Sequence, residues 1–266
     1  YVSSDAANAL AARVALFQNK MTDAANYAEA VLANSSFSLA STAMDFSKNW
    51  VAGSSSPEII FAYVNNSRAS SPLNFTLYVN DTDGSWNYAP SDWCYNSLFA
   101  DDNTLSRKGD VRLKATFTSQ DANRVIKYPN GTYQLAETSD YTCTPVVISR
   151  ISEMYLIKAE ALGKTNGAAA LVEYMKKRYT TAPSEAAIKA LSDKEYQTLI
   201  LDERRREFYA EGMRWQDIKR TNRLELLETL DGRTYLMYYP IPQDEIDMAG
   251  TVAYPQNPGY AGYTGN

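Results

Sequence analysis

From Asp5 to Phe17 the apolar and small residues recur at helical spacing, with Leu10, Val14 and Phe17 on one stripe and Ala7, Ala11 and Ala15 on the next. An alanine stripe lets a neighbouring backbone come close, so a partner helix is expected. It follows after Gln18, Asn19, Lys20 and Met21, where Ala24, Tyr27, Ala28, Val31 and Leu32 fall at i, i+3, i+4, i+7 and i+8. The pattern predicts an antiparallel helical hairpin over 1–36. A second hairpin is predicted from Ile151 to Leu162, a turn over Gly163 to Gly167, and a return face of Ala168, Leu171, Val172, Met175 and Tyr179.

Each hairpin has the length and the Ala/Tyr pattern of a tetratricopeptide-like repeat. About 115 residues separate the two, so they cannot stack as sequence neighbours, and either further repeats upstream or the long insert must cover the pair. That insert, 37–145, is rich in Ser, Asn, Asp and Gly, and its short apolar runs such as Glu58 to Tyr63 read as strands. A third helical block is predicted from Ser192 to about Arg220, with Leu201, Phe208 and Trp215 at seven-residue spacing. The tail from Leu236 is rich in Pro, Gly and Tyr and predicts an ordered, irregular wrap held by apolar anchors. The fold class expected is mainly α: tetratricopeptide-like hairpins with a loop-rich insert carrying short β pieces. One domain over 1–266 is expected, with 146–266 as its C-terminal region.

Composition narrows the chemistry. The 266 residues include 20 Tyr and no His, which excludes a Ser/His/Asp or Cys/His nucleophile, His-ligated zinc and a His general base within this chain. Carboxylates, hydroxyls, cations and rings remain, and no cofactor or metal site is called for. The net charge of −5 leaves no basic stripe, which argues against nucleic acid and anionic membrane as partners. No apolar run reaches the length of a membrane span. Cys94 and Cys143 allow one bridge or two thiols. With no leader before Tyr1, the sequence reads as a trimmed or partial chain.

Several local matches carry little. Gly163-Lys164-Thr165 mimics the end of a phosphate loop, but Lys158 stands where the pattern needs Gly. Asp81-Thr82-Asp83-Gly84-Ser85 has calcium-type oxygens without the twelve-residue spacing or the terminal Glu, so it reads as an Asx turn. The Asn-x-Ser/Thr triplets at Asn34, Asn65, Asn74, Asn80 and Asn130 carry no argument here. A His-free glycoside hydrolase needs two carboxylates. Glu153 and Glu160 share a helical face about 10 Å apart along the axis, just beyond the inverting range. Glu203 and Glu207 bracket Arg204, Arg205 and Arg206, which would hold them ionised in an ion-pair lattice.

The most suggestive stretch holds Trp86, Tyr88, Trp93, Tyr95 and Phe99 among Ser85, Asn87, Ser91, Asp92 and Asn96. Flat rings bordered by amide, hydroxyl and carboxylate groups suit sugars, whose faces are apolar and whose edges hydrogen-bond. Trp86, Tyr88, Trp93 and Tyr95 are the candidate stacking residues, with Trp50, Asn87, Asp92 and Asn96 secondary. The competing reading is that these rings plug the insert onto the helices.

Pro145 to Ala161, an apolar strand with Arg150 and then Glu153-Met154-Tyr155-Leu156-Ile157-Lys158-Ala159-Glu160-Ala161, resembles the SusD/RagB family of surface nutrient-binding lipoproteins. The resemblance continues through Tyr174 to Tyr179, Glu203 to Phe208, Glu211 to Arg220, Tyr239-Pro240-Ile241-Pro242, Glu245-Ile246 and Gln256 to Tyr260, with Asp110 and Arg112 as a further element. It implies a helical scaffold whose loop-rich surface binds glycan, without catalysis. It also implies a lipid anchor outside the outer membrane and a SusC-like TonB-dependent transporter as partner. The family's lipoprotein signal with its anchoring Cys, and the N-terminal part of its fold, lie outside this sequence. These are scaffold motifs, so they carry no ligand residue across. The alternative functions are a helical-repeat scaffold for protein interaction and a carboxylate glycosidase.

Overall fold

In a computed structural model the described residues are 2–51, 56–64, 89–117, 125–127, 145–227, 230–249 and 255–261. The chain divides into two compact units, Tyr1–Glu211 and Gly212–Asn266.

The first unit opens with α1 (Ser4–Phe17), whose first turn is closed by the Ser3 hydroxyl accepting from the Ala6 amide at 3.1 Å. After a left-handed Asn19, α2 (Met21–Leu32) returns antiparallel. The hairpin forms as predicted and alanines line its seam, but the row is shifted from Ala7, Ala11 and Ala15: Ala7 is exposed and Ala11 half-buried. Ala6, Ala9, Ala12, Ala15 and Leu16 are buried, whereas Leu10, Val14 and Phe17 are 55 %, 45 % and 37 % exposed. Small side chains win the buried face because they bring the α2 backbone close, and a row of branched or aromatic residues there would hold it away.

Beyond the hairpin come α3 (Ala43–Ser47) with a 3₁₀ turn over Lys48–Trp50, then β1 (Ile59–Tyr63), a π-helical turn over Cys94–Leu98, β2 (Lys108–Asp110) and α4 (Arg112–Thr116). β3 (Val146–Arg150) runs directly into α5 (Ile151–Arg178), which is followed by β4 (Tyr179–Thr181), α6 (Glu185–Lys189) and α7 (Asp193–Glu207). β1 pairs antiparallel with β3, Ile59 opposite Arg150 and Tyr63 opposite Val146. β2 pairs with β4, so both ends of α5 are tied to the insert.

The second predicted hairpin is α5 itself, broken at Gly163 with φ 65° and ψ 175°. The turn is tighter than the predicted 163–167 span, because Gly167 is already helical. A Cβ on Gly167 would lie 2.2 Å from the Ala159 carbonyl oxygen, so only glycine lets the two halves approach this closely. The two hairpins are spatial neighbours despite their separation: Ala24, Ala28 and Val31 of α2 share one core with Ile151, Met154 and Ile157 of α5. The long insert leaves and returns around this joint instead of separating the repeats.

The third predicted block is two helices. α7 begins with a capping box between Ser192 and Glu195 and stops at Glu207; Ala210 (φ 65°) and Gly212 (φ 77°) then turn the chain. The second unit holds α8 (Arg214–Thr221), 3₁₀ turns at Leu224–Leu226 and Thr234–Met237, and α9 (Gln243–Met248). Its tail is pinned by the Gln256 side chain, which accepts from the Ile241 amide at 2.7 Å and donates to the Ile241 carbonyl at 2.9 Å. Not every tyrosine in the repeats and the tail packs: Tyr27 is 41 % and Tyr239 88 % exposed.

Candidate functional site

Trp86, Tyr88 and Asn87 lie outside the described residues, as do Asp81 to Ser85 and Cys143. Of the remaining candidates, Asp92, Trp93, Tyr95 and Asn96 sit on and beside the π-helical turn, a wide and uncommon geometry that recurs at functional sites. The turn directs Cys94 and Leu98 inward, where they are buried, and leaves Asp92 and Asn96 exposed. Beneath it Phe99, Phe117 and Val125 form a small core, with Phe117 edge-on to Phe99 at 5.4 Å and to Tyr209 at 4.8 Å.

Two arginines of α7 secure this turn. Arg206 Nε donates to the Leu98 carbonyl at 2.5 Å, and Arg206 Nη1 donates to Glu203 at 2.9 Å. Arg205, its neighbour, points the other way, and its guanidinium carbon lies 4.2 Å from the centroid of the Trp93 indole. Trp93 is half-buried, so one ring face is occupied by the cation. A stacked guanidinium extends the flat surface and adds N–H donors at its rim. Arg205 was expected only in the ion-pair lattice. Nothing in the local sequence signals its partner, because the contact is made entirely by tertiary packing.

Tyr95 turns inward instead. Its ring tilts against Phe117 at 5.4 Å, and its hydroxyl is buried with no hydrogen-bond partner among the described residues. Burial, together with Cys94 and Asp92, pushes the phenol pKa up. Trp50 is fully buried. Phe46 packs edge-on to it at 5.1 Å, with Lys127 Nζ at 4.6 Å and the Arg150 guanidinium at 5.3 Å from its ring. That corrects its place among the secondary ligand candidates: a ring at zero exposure with cations over it serves the core.

Under the turn lies a buried ionic lattice more extensive than the sequence implied. Glu207 accepts from Arg178 Nε and Nη2 at 2.9 Å each and from Tyr174 Oη at 2.8 Å, and it also pairs with Arg150 and Arg112. Burial alone would raise its carboxyl pKa, but Arg178, Arg150 and Arg112 overcome this and hold it well below the usual carboxylate range. Glu203, paired with Arg112, Arg206 and Tyr179 Oη, is likewise held low against burial. Glu58 ties β1 into the lattice through Arg178 at 2.8 Å and the Ala40 amide at 2.7 Å. Lys127 donates to Glu211 and to the Glu207 carbonyl at 2.8 Å each; burial lowers its pKa to about 8 although Glu211 opposes the shift.

The carboxylates weighed for acid/base chemistry are thus engaged. Glu153 is buried and held by Arg13 through Nε at 2.9 Å and Nη2 at 2.6 Å. Glu160 is half-buried beside Tyr196. Among the described residues no cluster of His, Cys, Asp and Glu could hold a metal, and no helix is long and apolar enough to cross a membrane.

Residues 99–234 match the SusD family model, which is just over half of the sequence, and the chain belongs to that family. The "SusD-like protein P38" of Formosa agariphila is 30 % identical over 142 residues, covering 48 % of this chain and 27 % of that protein. The fold is shared with a SusD-like carbohydrate binding protein from Bacteroides vulgatus (TM-score 0.58, 20 % identity, 82 % of this chain and 45 % of that one). It is also shared with surface glycan-binding protein A from Bacteroides thetaiotaomicron (TM-score 0.63, 20 % identity, 97 % and 64 %). This chain therefore spans about a quarter of the curated relative and between roughly half and two thirds of these solved structures.

Proposed function

We propose that the chain belongs to a cell-surface protein that captures glycan without catalysis, with Trp93 and Arg205 as one stacking platform and Asp92 and Asn96 as its polar rim. The observation that carries this reading is the indole–guanidinium pair at 4.2 Å, half-buried beside exposed carboxylate and amide groups. Such a surface offers a sugar an apolar face and hydrogen bonds at its edge. Trp86, Asn87 and Tyr88 of the preceding segment join the proposal on sequence grounds. Tyr95 contributes by holding the turn in place. The absence of a catalytic step is supported by Glu153, Glu203 and Glu207, each paired with arginine.

The glycan would be passed to a SusC-like TonB-dependent transporter, with the whole protein lipid-anchored at the outer membrane. Family membership supports this part of the reading, and the names of the two solved relatives support the glycan binding. Affinity electrophoresis in gels cast with a panel of polysaccharides is the test. Retardation by at least one polymer, lost in Trp93→Ala and reduced in Arg205→Ala, is expected; retardation unchanged in both variants removes the platform.

A second reading, a protein-interaction scaffold, is favoured by the outward Leu10, Val14 and Phe17 stripe of α1. Quenching of tryptophan fluorescence by soluble oligosaccharide separates the two.

A further inference from the structure

The second unit contains a cavity of about 550 Å³, inside the roughly 300–1,000 Å³ range of small-molecule sites, and it lies within this unit alone. The C-terminal end of α8 supplies Lys219 and Asn222, the 3₁₀ turn at Thr234–Met237 supplies Thr234 and Tyr235, and the tail supplies Asn257. Leu224, Met237 and Pro258 make the apolar part of the wall.

These walls are fixed by their own bonds. Asn222 caps α8 in the left-handed conformation, its amide donating to the Ile218 and Lys219 carbonyls. Asn257 Nδ2 donates to the Tyr239 carbonyl at 2.8 Å, Tyr260 Oη donates to the Tyr238 carbonyl at 2.6 Å, and Tyr260 packs edge-on to Tyr235 at 5.1 Å. The site therefore needs little ordering when a ligand enters.

Among the described residues that line the cavity, Lys219 carries the one charge and no carboxylate opposes it. Its Nζ stands 5.3 Å from the centroid of the Tyr238 ring, so cation and aromatic surface share one wall. Thr234 and Asn222 add a hydroxyl-bearing and an amide-bearing residue to the lining, and both residues are exposed.

We infer that this cavity is a saccharide site of its own, selective for a pyranose that carries a carboxylate or sulfate. Tyr235, Met237 and Pro258 meet the apolar ring face, the neutral polar groups meet its hydroxyls, and Lys219 pairs with the anionic substituent. A charge-assisted hydrogen bond inside a partly enclosed wall contributes more than the same pair in open solvent, which makes Lys219 the selectivity element. The ligand class follows from the chemistry of this wall and owes nothing to Trp93.

Titration of the ¹⁵N-labelled chain with methyl β-D-glucuronide, glucose 6-sulfate and methyl β-D-glucoside tests the inference. The two anionic sugars should shift amides of 219–237 and bind roughly fivefold or more tightly than the neutral one. In Lys219→Met, at an exposed helix position, they should fall to the glucoside level, while Thr234→Val weakens all three. Equal binding of the glucoside, shifts produced as strongly by inorganic sulfate alone, no shift in these amides, or an unchanged Lys219→Met would each overturn it. Trp93→Ala should leave these shifts intact, and Lys219→Met should leave polysaccharide retardation intact. Failure of either site is thereby read separately.

Discussion

Arg205 and Trp93 come from separate parts of the chain and meet at 4.2 Å, guanidinium over indole. The preceding residue in α7, Arg204, is buried with Glu153 at 3.9 Å, and the following one, Arg206, is buried against Glu203, so helical geometry turns Arg205 outward as they turn in. One helix thereby fastens the scaffold with two side chains and furnishes a surface with the third.

Removing Arg205 should consequently affect ligand retention more than stability. Partly exposed cation–π pairs contribute about 0.5–1 kcal/mol. Arg205→Ala should lower unfolding free energy in urea by no more than about that amount while weakening retardation in polysaccharide gels. Trp50→Ala reverses the pattern: a fully buried indole costs about 3–5 kcal/mol on truncation. Trp50→Phe should leave ligand quenching of fluorescence in place; its loss in a folded chain would put Trp50 at the ligand surface and not in the core.

Glu207 should behave as the keystone of the lattice. Breaking a buried pair from one side leaves uncompensated charge, at about 3–5 kcal/mol. Glu207→Gln strands Arg178 and Arg150 together and should reach that range in chemical denaturation. Because its folded pKa lies below the ordinary 4.5, the carboxylate's stabilisation is complete above pH 4.5 and is lost as pH falls through the folded value. Wild-type stability should decline below pH 4.5, and the decline should be shallower in the variant.

Lys127 has the opposite sign. Its folded pKa of about 8 lies under the ordinary 10.5, so the folded state holds the charged amine at a cost below pH 8, and that cost is relieved between pH 8 and 10.5. Lys127→Met should be neutral or stabilising at pH 7 by up to a few kcal/mol, roughly the range seen when buried ions give way to apolar groups of similar size. The stability difference between variant and wild type should shrink as pH rises from 8 to 10.5. A difference that stays constant across that window would refute the assignment.

The two stripes of α1 can be told apart by substitution. Leu10→Gln and Val14→Gln alter exposed positions and should each stay within about 0.5 kcal/mol, whereas Ala12→Leu forces a large side chain between α1 and α2 and should cost about 1–3 kcal/mol. Gly167→Ala belongs with the second group, because the added Cβ meets the Ala159 carbonyl at 2.2 Å. Thermal melts of the four variants are sufficient for the comparison.

Helical spacing in the sequence located α1, α2, both halves of α5, α7 and α8, and the apolar run at Glu58 to Tyr63 located β1. It did so because local periodicity reports which residues can share a face. It placed the close-approach row of α1 at Ala7, Ala11 and Ala15, whereas the buried row is Ala6, Ala9, Ala12 and Ala15, because more than one alanine row satisfies helical spacing and the packing against α2 decides which is covered. It joined α7 to α8 because two left-handed residues interrupt a pattern that otherwise continues.

By itself, then, the sequence determined the helical class, the family motifs and the absence of imidazole chemistry, all of which are properties of residue type and short spacing. Only the tertiary structure decided that the hairpins adjoin, that Trp50 is enclosed by cations while Trp93 is paired with Arg205, and that Lys219 stands at the wall of a cavity. Those are contacts between distant segments, and the free energy that selects them depends on shape and burial that no local pattern encodes.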